Sequence, residues 1–196
     1  MRGLLLLVLI VSVFGVLSAC KQTEESAERV VDESERMHEE AGEEMAKSEP
    51  PRIAADLWKL MQTENYRKHW KMRPGSEAFY EGTSPHGAFL TTYVNDPAYS
   101  ALEAGKKQLP PGSIIVTENY TPEKNLTYIT VMYKLAGFDA ENNNWFWAKY
   151  MPDGTPVAEE PDGERTELAG KVDSCIACHS ERKDNDYIMS DSPASE

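Results

Sequence analysis

The sequence predicts an α+β domain in which an antiparallel β-sheet packs with a long N-terminal helix and several short helices. Three observations predict this class: an apolar stripe at helical spacing, four β-type runs after it, and turn residues between those runs. The chain has 196 residues, which is enough for one domain of ordinary size besides terminal segments. Its 4 Trp, 9 Tyr and 5 Phe provide the apolar surface that a core needs.

The long helix is predicted from Arg52 to about Met72, where apolar residues recur every three or four positions. The sequence Arg73-Pro74-Gly75 ends it. The residues of its apolar stripe are Ile53, Leu57, Leu60, Met61, Tyr66 and Trp70.

The four predicted strands are rich in β-branched and aromatic residues, and the last strand alternates along its length. They cover residues 88–94, 113–118, 126–135 and 144–150. A short helix is predicted from Ala98 to Lys106, with Pro97 at its start. Pro-Asp-Gly sequences at residues 152–154 and 161–163 predict turns.

Residues 1–19 have the pattern of a bacterial lipoprotein signal peptide: a basic start, an apolar run too short to span a membrane, and small residues before Cys20. Cys20 would then be the lipidated first residue of the mature protein. The alternative is an ordinary signal peptide followed by a chance cysteine. We expect an exported protein that is lipid-anchored at the periplasmic face of a membrane in a Gram-negative bacterium, and Lys21 after the cysteine points toward the outer membrane.

Residues 20–51 are strongly acidic and nearly free of aromatic and branched aliphatic residues. Such a segment buries too little apolar area to offset the entropy of ordering it, so it predicts a flexible stalk. The domain is then expected at residues 52–191, and residues 192–196 form a tail. The formal net charge of −13 argues against nucleic acid as a partner. It suits a basic redox protein or a small neutral ligand, although a solvated surface is the simpler explanation.

The sequence Cys175-Ile176-Ala177-Cys178-His179 predicts covalent attachment of one haem c. Two thiols three residues apart can each add to a porphyrin vinyl group, and the adjoining histidine becomes the proximal iron ligand. The alternatives are half of a zinc site, which needs a second pair of ligands, and a redox dithiol, which needs a βαβ context. Haem attachment agrees with export and accounts for both cysteines.

From about Leu57 to Asp191 the chain resembles the cytochrome P-460 family, which includes the cytochrome c′-β proteins. The stretches that carry the resemblance are residues 84–87, 93–95, 111–116, 137–139, 144–147, 175–179 and 183–187. The resemblance implies an antiparallel sheet packed with helices, a homodimer, and a five-coordinate haem with His179 as proximal ligand and an open, apolar distal side. Family members bind nitric oxide, or oxidise hydroxylamine or nitric oxide.

One position departs from the cross-linked members of this family, in which a lysine bonds covalently to the porphyrin edge. Reading without gaps from Gly112, the matching residue is Thr117, which cannot form that bond. Thr117 therefore argues against the cross-link and against hydroxylamine oxidation. No catalytic residues are predicted.

The distal side of the haem has several candidate residues. His86 could approach it, although a histidine hydrogen-bonded at a loop–strand junction is the simpler interpretation. Aromatic candidates for the pocket wall, which could equally be core, are Phe89, Trp145 and Phe146. Candidates for a sixth iron ligand are Met132, Met151 and Met189, which could equally fill the core.

Three functions remain open. The favoured one is a membrane-anchored haem protein with an open distal site that binds or handles nitric oxide or related nitrogen oxides. The second is an electron-transfer cytochrome with a six-coordinate iron and a redox partner protein. The third is an oxidoreductase acting on hydroxylamine or nitric oxide.

Overall fold

A computed structural model describes residues 44–160, 163 and 165–189. These residues form a mixed α+β structure in which an antiparallel sheet packs with short and medium helices, which confirms the predicted class. The predicted signal peptide, Cys20, most of the predicted stalk and the predicted tail lie outside the described residues. Met45 and Ala46, at the end of the predicted stalk, pack against the core. No helix in the described part of the chain is both long and apolar enough to cross a bilayer.

Two helices replace the single helix predicted over residues 52–72. Helix α1 spans Pro50–Thr63 and helix α2 spans Tyr66–His69. Asn65 lies between them in the left-handed region, with φ 48° and ψ 59°, and this conformation breaks the helix. Helix α1 also begins two residues earlier than predicted, because proline is well suited to the first helical positions, where no backbone donor is needed.

In the described part of the chain, nine strands follow these helices. They are β1 Lys71–Met72, β2 Tyr80–Glu81, β3 Phe89–Val94, β4 Ile114–Tyr120, β5 Leu126–Lys134, β6 Trp145–Tyr150, β7 Ala158–Glu159, β8 Thr166–Glu167 and β9 Ala169–Gly170. The main sheet has the order β1-β3-β4-β5-β6-β9, with β2 also paired to β3, while β7 and β8 form a separate pair. The four predicted strands correspond to the four longest observed strands, β3 to β6. Each observed strand begins and ends within two residues of the predicted position.

The remaining helices are short. Helix α3 spans Asp96–Glu103, helix α4 spans Asp173–His179, and 3-10 segments cover Ala140–Asn142 and Ser180–Asn185. Pro97 lies in the first turn of α3, as predicted. The Asn95 side chain caps this helix by accepting from Ala98 N and also bonds Ile114 N at 2.9 Å, which ties the helix start to β4.

Alternation of side chains gives the sheet two different faces. The first face carries Val116, Val131 and Phe146 and packs against α1. The second face carries Ile115, Met132 and Trp147 and packs against α3 and the segment around Tyr187. Cys175 and Ile176 of α4 pack against this second face. The cysteine motif therefore lies on the side of the sheet away from α1.

A buried carboxylate holds α2 on the first face. Glu118 of β4 is 1 % exposed and accepts hydrogen bonds from Tyr66 Oη at 2.7 Å, from Arg67 Nε at 2.5 Å and from the Tyr120 hydroxyl. Because all three donors converge on one buried group, the cluster fixes the position of α2 on the sheet.

Candidate functional site

Helix α4 carries both cysteines and the histidine of the motif. Residues three and four apart lie on the same side of a helix, so Cys175 is next to Cys178 and His179. Both thiols are free, Cys178 is exposed and Cys175 is partly buried. Burial raises the pKa of the Cys175 thiol, and the nearby Lys149 ammonium opposes that rise. The two thiols therefore lie on one side of the helix, with Cys178 exposed and Cys175 facing the sheet.

The imidazole of His179 has a defined tautomer. Its Nδ1 lies 2.7 Å from the backbone carbonyl oxygen of Tyr187. A carbonyl oxygen can only accept, so Nδ1 carries the proton and Nε2 keeps a free lone pair. Burial lowers the pKa of His179, which favours the neutral ring. A neutral histidine with one nitrogen bonded to a backbone carbonyl is the usual arrangement of a metal-ligating histidine.

The carbonyl that holds His179 is itself fixed by Asp186. The side chain of Asp186 is fully buried and bonds Lys134 Nζ at 2.5 Å, Leu109 N at 2.8 Å and Asn143 Nδ2 at 3.0 Å. The indole nitrogen of Trp145 donates to the backbone oxygen of Asp186 at 2.9 Å. The chain next to Tyr187 is thus anchored to β5 and β6.

The backbone at this anchor is unusual. Asp186 and Tyr187 both lie in the left-handed region, with φ 53° and φ 65°. Two consecutive residues other than glycine are strained in this conformation and keep it only where their surroundings enforce it. The contacts of Asp186 enforce it here, and the result is a Tyr187 carbonyl directed at His179.

Trp147 packs beside the histidine and contributes an unpaired donor. The Trp147 and His179 ring centroids are 4.8 Å apart, with an edge-to-face arrangement. Trp147 is 2 % exposed, and its indole Nε1 has no hydrogen-bond partner among the described residues. Since buried donors normally find an acceptor, this N–H marks a place where a bound group carrying an acceptor fits. The residues present are therefore compatible with a haem beside His179.

His86 lies near His179 although 93 residues separate them in the sequence. The two ring centroids are 6.2 Å apart. His86 Nδ1 is 2.9 Å from Asn119 Oδ1, so the hydrogen bond expected at the loop–strand junction is present. Burial lowers the pKa of His86, and Lys149 contributes in the same direction. The structure thus shows the hydrogen bond of the simpler interpretation and also brings His86 close to His179, while an approach of His86 to the distal face stays a prediction.

A polar row crosses the second face near these histidines. Strand register aligns Thr92, Thr117, Thr130 and Lys149. The Thr92 and Thr117 hydroxyls are 3.1 Å apart, and Thr130 Oγ1 donates to the Thr117 carbonyl at 3.3 Å. Lys149 is thus a lysine in the same row as Thr117, two strands away, which sequence comparison alone did not single out. Trp145, Trp147 and Lys149 occupy alternate positions of β6 and therefore lie on one face of the sheet. This alternation in the sequence was the signal that could have identified Lys149.

The other predicted distal residues are placed differently. By alternation, Phe89 and Phe146 lie on the first face, away from His179, and Phe146 belongs to the core against α1. Trp145 is on the second face but bonds Asp186. Met132 is buried in the second-face core, whereas Met151 and Met189 are 40 % and 43 % exposed. The described residues contain no group of three His, Cys, Asp or Glu placed to hold a metal ion.

Comparison with known proteins supports a family assignment. No curated protein sequence is similar enough to the chain to match it. The sequence model of the family described as Cytochrome P460 matches residues 63–190, well over half of the chain. The matched range includes the whole main sheet, both histidines and the cysteine motif. The chain therefore belongs to the cytochrome P460 family, which indicates a c-type haem protein.

Proposed function

We propose that the protein is a c-type haem protein that binds nitric oxide or a related small nitrogen oxide at the iron, opposite His179. The observation that carries the proposal is the hydrogen bond from His179 Nδ1 to the Tyr187 carbonyl, because it leaves Nε2 free as an iron ligand. Family membership supports the same cofactor.

Three residues of α4 hold the haem in this proposal. Cys175 and Cys178 form the two thioethers, and His179 is the proximal iron ligand. Their side chains share one side of the helix, as attachment to a single porphyrin requires. When bound, the haem supplies an iron centre that takes up diatomic ligands. The Trp147 N–H supplies a donor to an acceptor group of the bound cofactor or ligand.

Residues of the second face give the site its polarity. The hydroxyls of Thr92, Thr117 and Thr130 are neutral. Those of Thr92 and Thr117 are hydrogen-bonded to each other, and that of Thr130 donates to the backbone carbonyl of Thr117. Distal polarity, access and burial are the means by which a protein selects haem ligands. A small molecule such as nitric oxide suits these neutral hydroxyls, and Lys149 adds one positive charge at the end of the same row.

The cellular setting belongs to the proposal as well. We propose that Cys20 anchors the protein by lipid at the periplasmic face of a membrane, that the protein is a homodimer, and that a redox partner protein reduces the haem. The net charge of −13 suits a basic partner surface. Mass spectrometry of the mature N-terminus tests the anchor: an N-terminal Cys20 that carries a thioether-linked diacylglycerol, with or without an N-acyl chain, supports it, and an unmodified N-terminus elsewhere contradicts it.

The haem proposal is tested with full-length protein produced in a host that attaches haem to exported cytochromes. The expected result is one haem per chain that survives denaturation, and a new absorption spectrum when nitric oxide is added to the reduced protein. The Cys175→Ala, Cys178→Ala double variant should lose the covalent haem. An Ala177→Ser variant is the matched control, because Ala177 is an exposed residue of the same helix.

A further inference from the structure

We infer that Arg73 binds a carboxylate of the cofactor, namely a propionate of the haem, and so provides an ionic contact to the porphyrin from outside the cysteine motif. The inference rests on the proposed function, because it requires a haem beside His179. It adds a cofactor-binding residue from a part of the chain that is distant from helix α4 in the sequence.

Arg73 connects two parts of the structure that border the proposed haem site. It directly follows strand β1, and its backbone N–H donates to the Thr92 carbonyl at 2.9 Å. Its Nη1 donates to the Met189 carbonyl at 2.9 Å. Met189 comes two residues after Tyr187, whose carbonyl holds His179. Arg73 is therefore bound through its backbone to the sheet and through its guanidinium to the segment that orients the proximal histidine.

Tyr80 keeps the guanidinium next to the polar row of the second face. The Arg73 Cζ atom lies 5.7 Å from the centre of the Tyr80 ring, within the range of a cation–π contact. The Tyr80 hydroxyl is 2.7 Å from Thr92 Oγ1, and Thr92 is the β3 member of the row. The β6 member of the same row is Lys149. Arg73 thus adds a second positive charge, beside the opposite end of the row from Lys149.

The Nε–H of Arg73 is buried and has no hydrogen-bond partner among the described residues. Buried donors normally have an acceptor, and a donor on a charged group is especially costly to leave unpaired. Arg52 and Arg67, by comparison, use the same nitrogen to bind carboxylates. Their partners are Asp56 at 2.6 Å and Glu118 at 2.5 Å. No carboxylate in the described part of the chain pairs with Arg73, so its environment suits an anion that a ligand carries.

A haem propionate has the chemistry that this donor requires. The N–H groups of a guanidinium lie in one plane and match the oxygens of a carboxylate, and such charge-assisted hydrogen bonds are strong. The thioethers from Cys175 and Cys178 form at the vinyl groups, which lie on the side of the porphyrin away from the propionates. The cysteine motif therefore leaves the propionate side to be bound by other residues, and Arg73 is placed to bind it.

The contact should affect the iron as well as the fit of the haem. The negative charge of a propionate stabilises the ferric state, and a guanidinium beside it cancels part of that effect. Replacing Arg73 by a neutral residue should therefore lower the reduction potential. We expect the equilibrium constant for reduction to fall about tenfold, which corresponds to about 59 mV for a one-electron couple.

The test compares the wild-type holoprotein with Arg73→Gln, Arg73→Lys and Arg165→Gln. Arg165 is the matched control, because it is an exposed arginine whose replacement removes the same charge. A redox titration should give the tenfold fall in Arg73→Gln, a smaller fall in Arg73→Lys, which keeps the charge, and almost none in the control. Equal falls in Arg73→Gln and Arg165→Gln would show that only net charge matters and would overturn the inference.

Resonance Raman spectra give a direct readout of the propionate. Its bending band should shift to lower frequency in Arg73→Gln, because a hydrogen bond to the carboxylate is lost, and should stay in place in Arg165→Gln. An unshifted band in Arg73→Gln would overturn the inference. A free anion has the same acceptor chemistry, so formate is the probe for that alternative source. A saturable change of the wild-type spectrum with formate that is absent in Arg73→Gln would assign Arg73 to a free anion instead.

Nuclear magnetic resonance of the wild-type holoprotein decides the matter should the Arg73 variants fail to fold. In reduced protein under carbon monoxide, the Arg73 Nε–H should exchange slowly with water and show cross-relaxation with the propionate methylene protons. An Arg73 Nε–H without that contact would overturn the inference. A holoprotein that has the contact but does not bind nitric oxide would contradict the proposed function alone, whereas one that binds nitric oxide and lacks the contact would contradict this inference alone.

Discussion

The backbone carbonyl of Tyr187 accepts a hydrogen bond from Nδ1 of His179 at 2.7 Å. This contact fixes the histidine of the cysteine motif as a neutral ring with Nε2 free for iron. It depends on the left-handed backbone at residues 186 and 187, which the buried carboxylate of Asp186 holds in place. The orientation of the proposed proximal ligand is therefore set by a residue outside the cysteine motif.

We predict that Asp186→Asn lowers the free energy of unfolding by about 3 kcal/mol, because it leaves the ammonium of Lys134 buried without its partner. It should also raise the reduction potential of the haem, since loss of a nearby negative charge disfavours the ferric form. Denaturant unfolding and a redox titration of the holoprotein measure the two effects.

The control for this prediction is Asp184→Asn. Asp184 is exposed two residues away, so the change in charge is the same but no buried contact is lost. Equal effects of the two substitutions would show that only the net charge matters and would contradict a positioning role for Asp186.

A second prediction concerns the porphyrin edge. By the gap-free reading of the sequence from Gly112, Thr117 is predicted to match the cross-linking lysine of the family, and its hydroxyl lies 3.1 Å from that of Thr92. We therefore expect no bond between the haem and a lysine. After proteolysis, mass spectrometry should find haem only on the peptide that contains Cys175 and Cys178. Haem joined to a second peptide, in particular one containing Lys149 from the same cross-strand row, would contradict this expectation.

A third prediction concerns the carboxylate under α2. Glu118→Gln should lower the free energy of unfolding by about 1–3 kcal/mol. The amide nitrogen replaces one carboxylate oxygen and cannot accept from the tyrosine hydroxyl that faces it, and the charge that pairs with Arg67 is lost. Urea unfolding measures the change. Glu123→Gln, an exposed glutamate after β4, is the control and should have almost no effect. A loss as small as that of the control would mean that the cluster contributes little to stability.

A fourth prediction follows from the pKa of Tyr66. Burial raises this pKa, and the Glu118 carboxylate raises it further. The folded protein then keeps the proton at a pH where the unfolded chain has lost it, so stability should fall as the pH rises above about 10. Tyr66→Phe should be less stable at neutral pH but lose less stability between pH 9 and 11. The same pH slope in both proteins would contradict the assignment.

Local signals in the sequence predicted the fold well. Periodicity located the four long strands, because alternation of buried and exposed residues is a local property. The helix break at Asn65 was missed, since apolar spacing continues through Tyr66 and Trp70 and a single left-handed residue leaves no periodic trace. Alternation also settles the position of Phe146, which the sequence left open between core and distal wall.

The site was predictable only in part. The haem-attachment residues can be recognised from the sequence, because the two cysteines and the proximal histidine lie within residues 175–179. Asp186 and Lys134 form an ion pair although they are 52 positions apart in the sequence. His86 and His179 are 93 positions apart, and their rings still lie close together. Both contacts exist only because the sheet brings distant parts of the chain together. Such long-range contacts leave no mark in spacing or composition.

The most direct test of the proposed function is the absorption spectrum of the reduced holoprotein before and after addition of nitric oxide. We predict a covalently bound haem whose Soret and visible bands change on addition of nitric oxide and return when the gas is removed. A spectrum that stays sharp and unchanged under saturating nitric oxide would contradict ligand binding at the iron and favour an electron-transfer cytochrome.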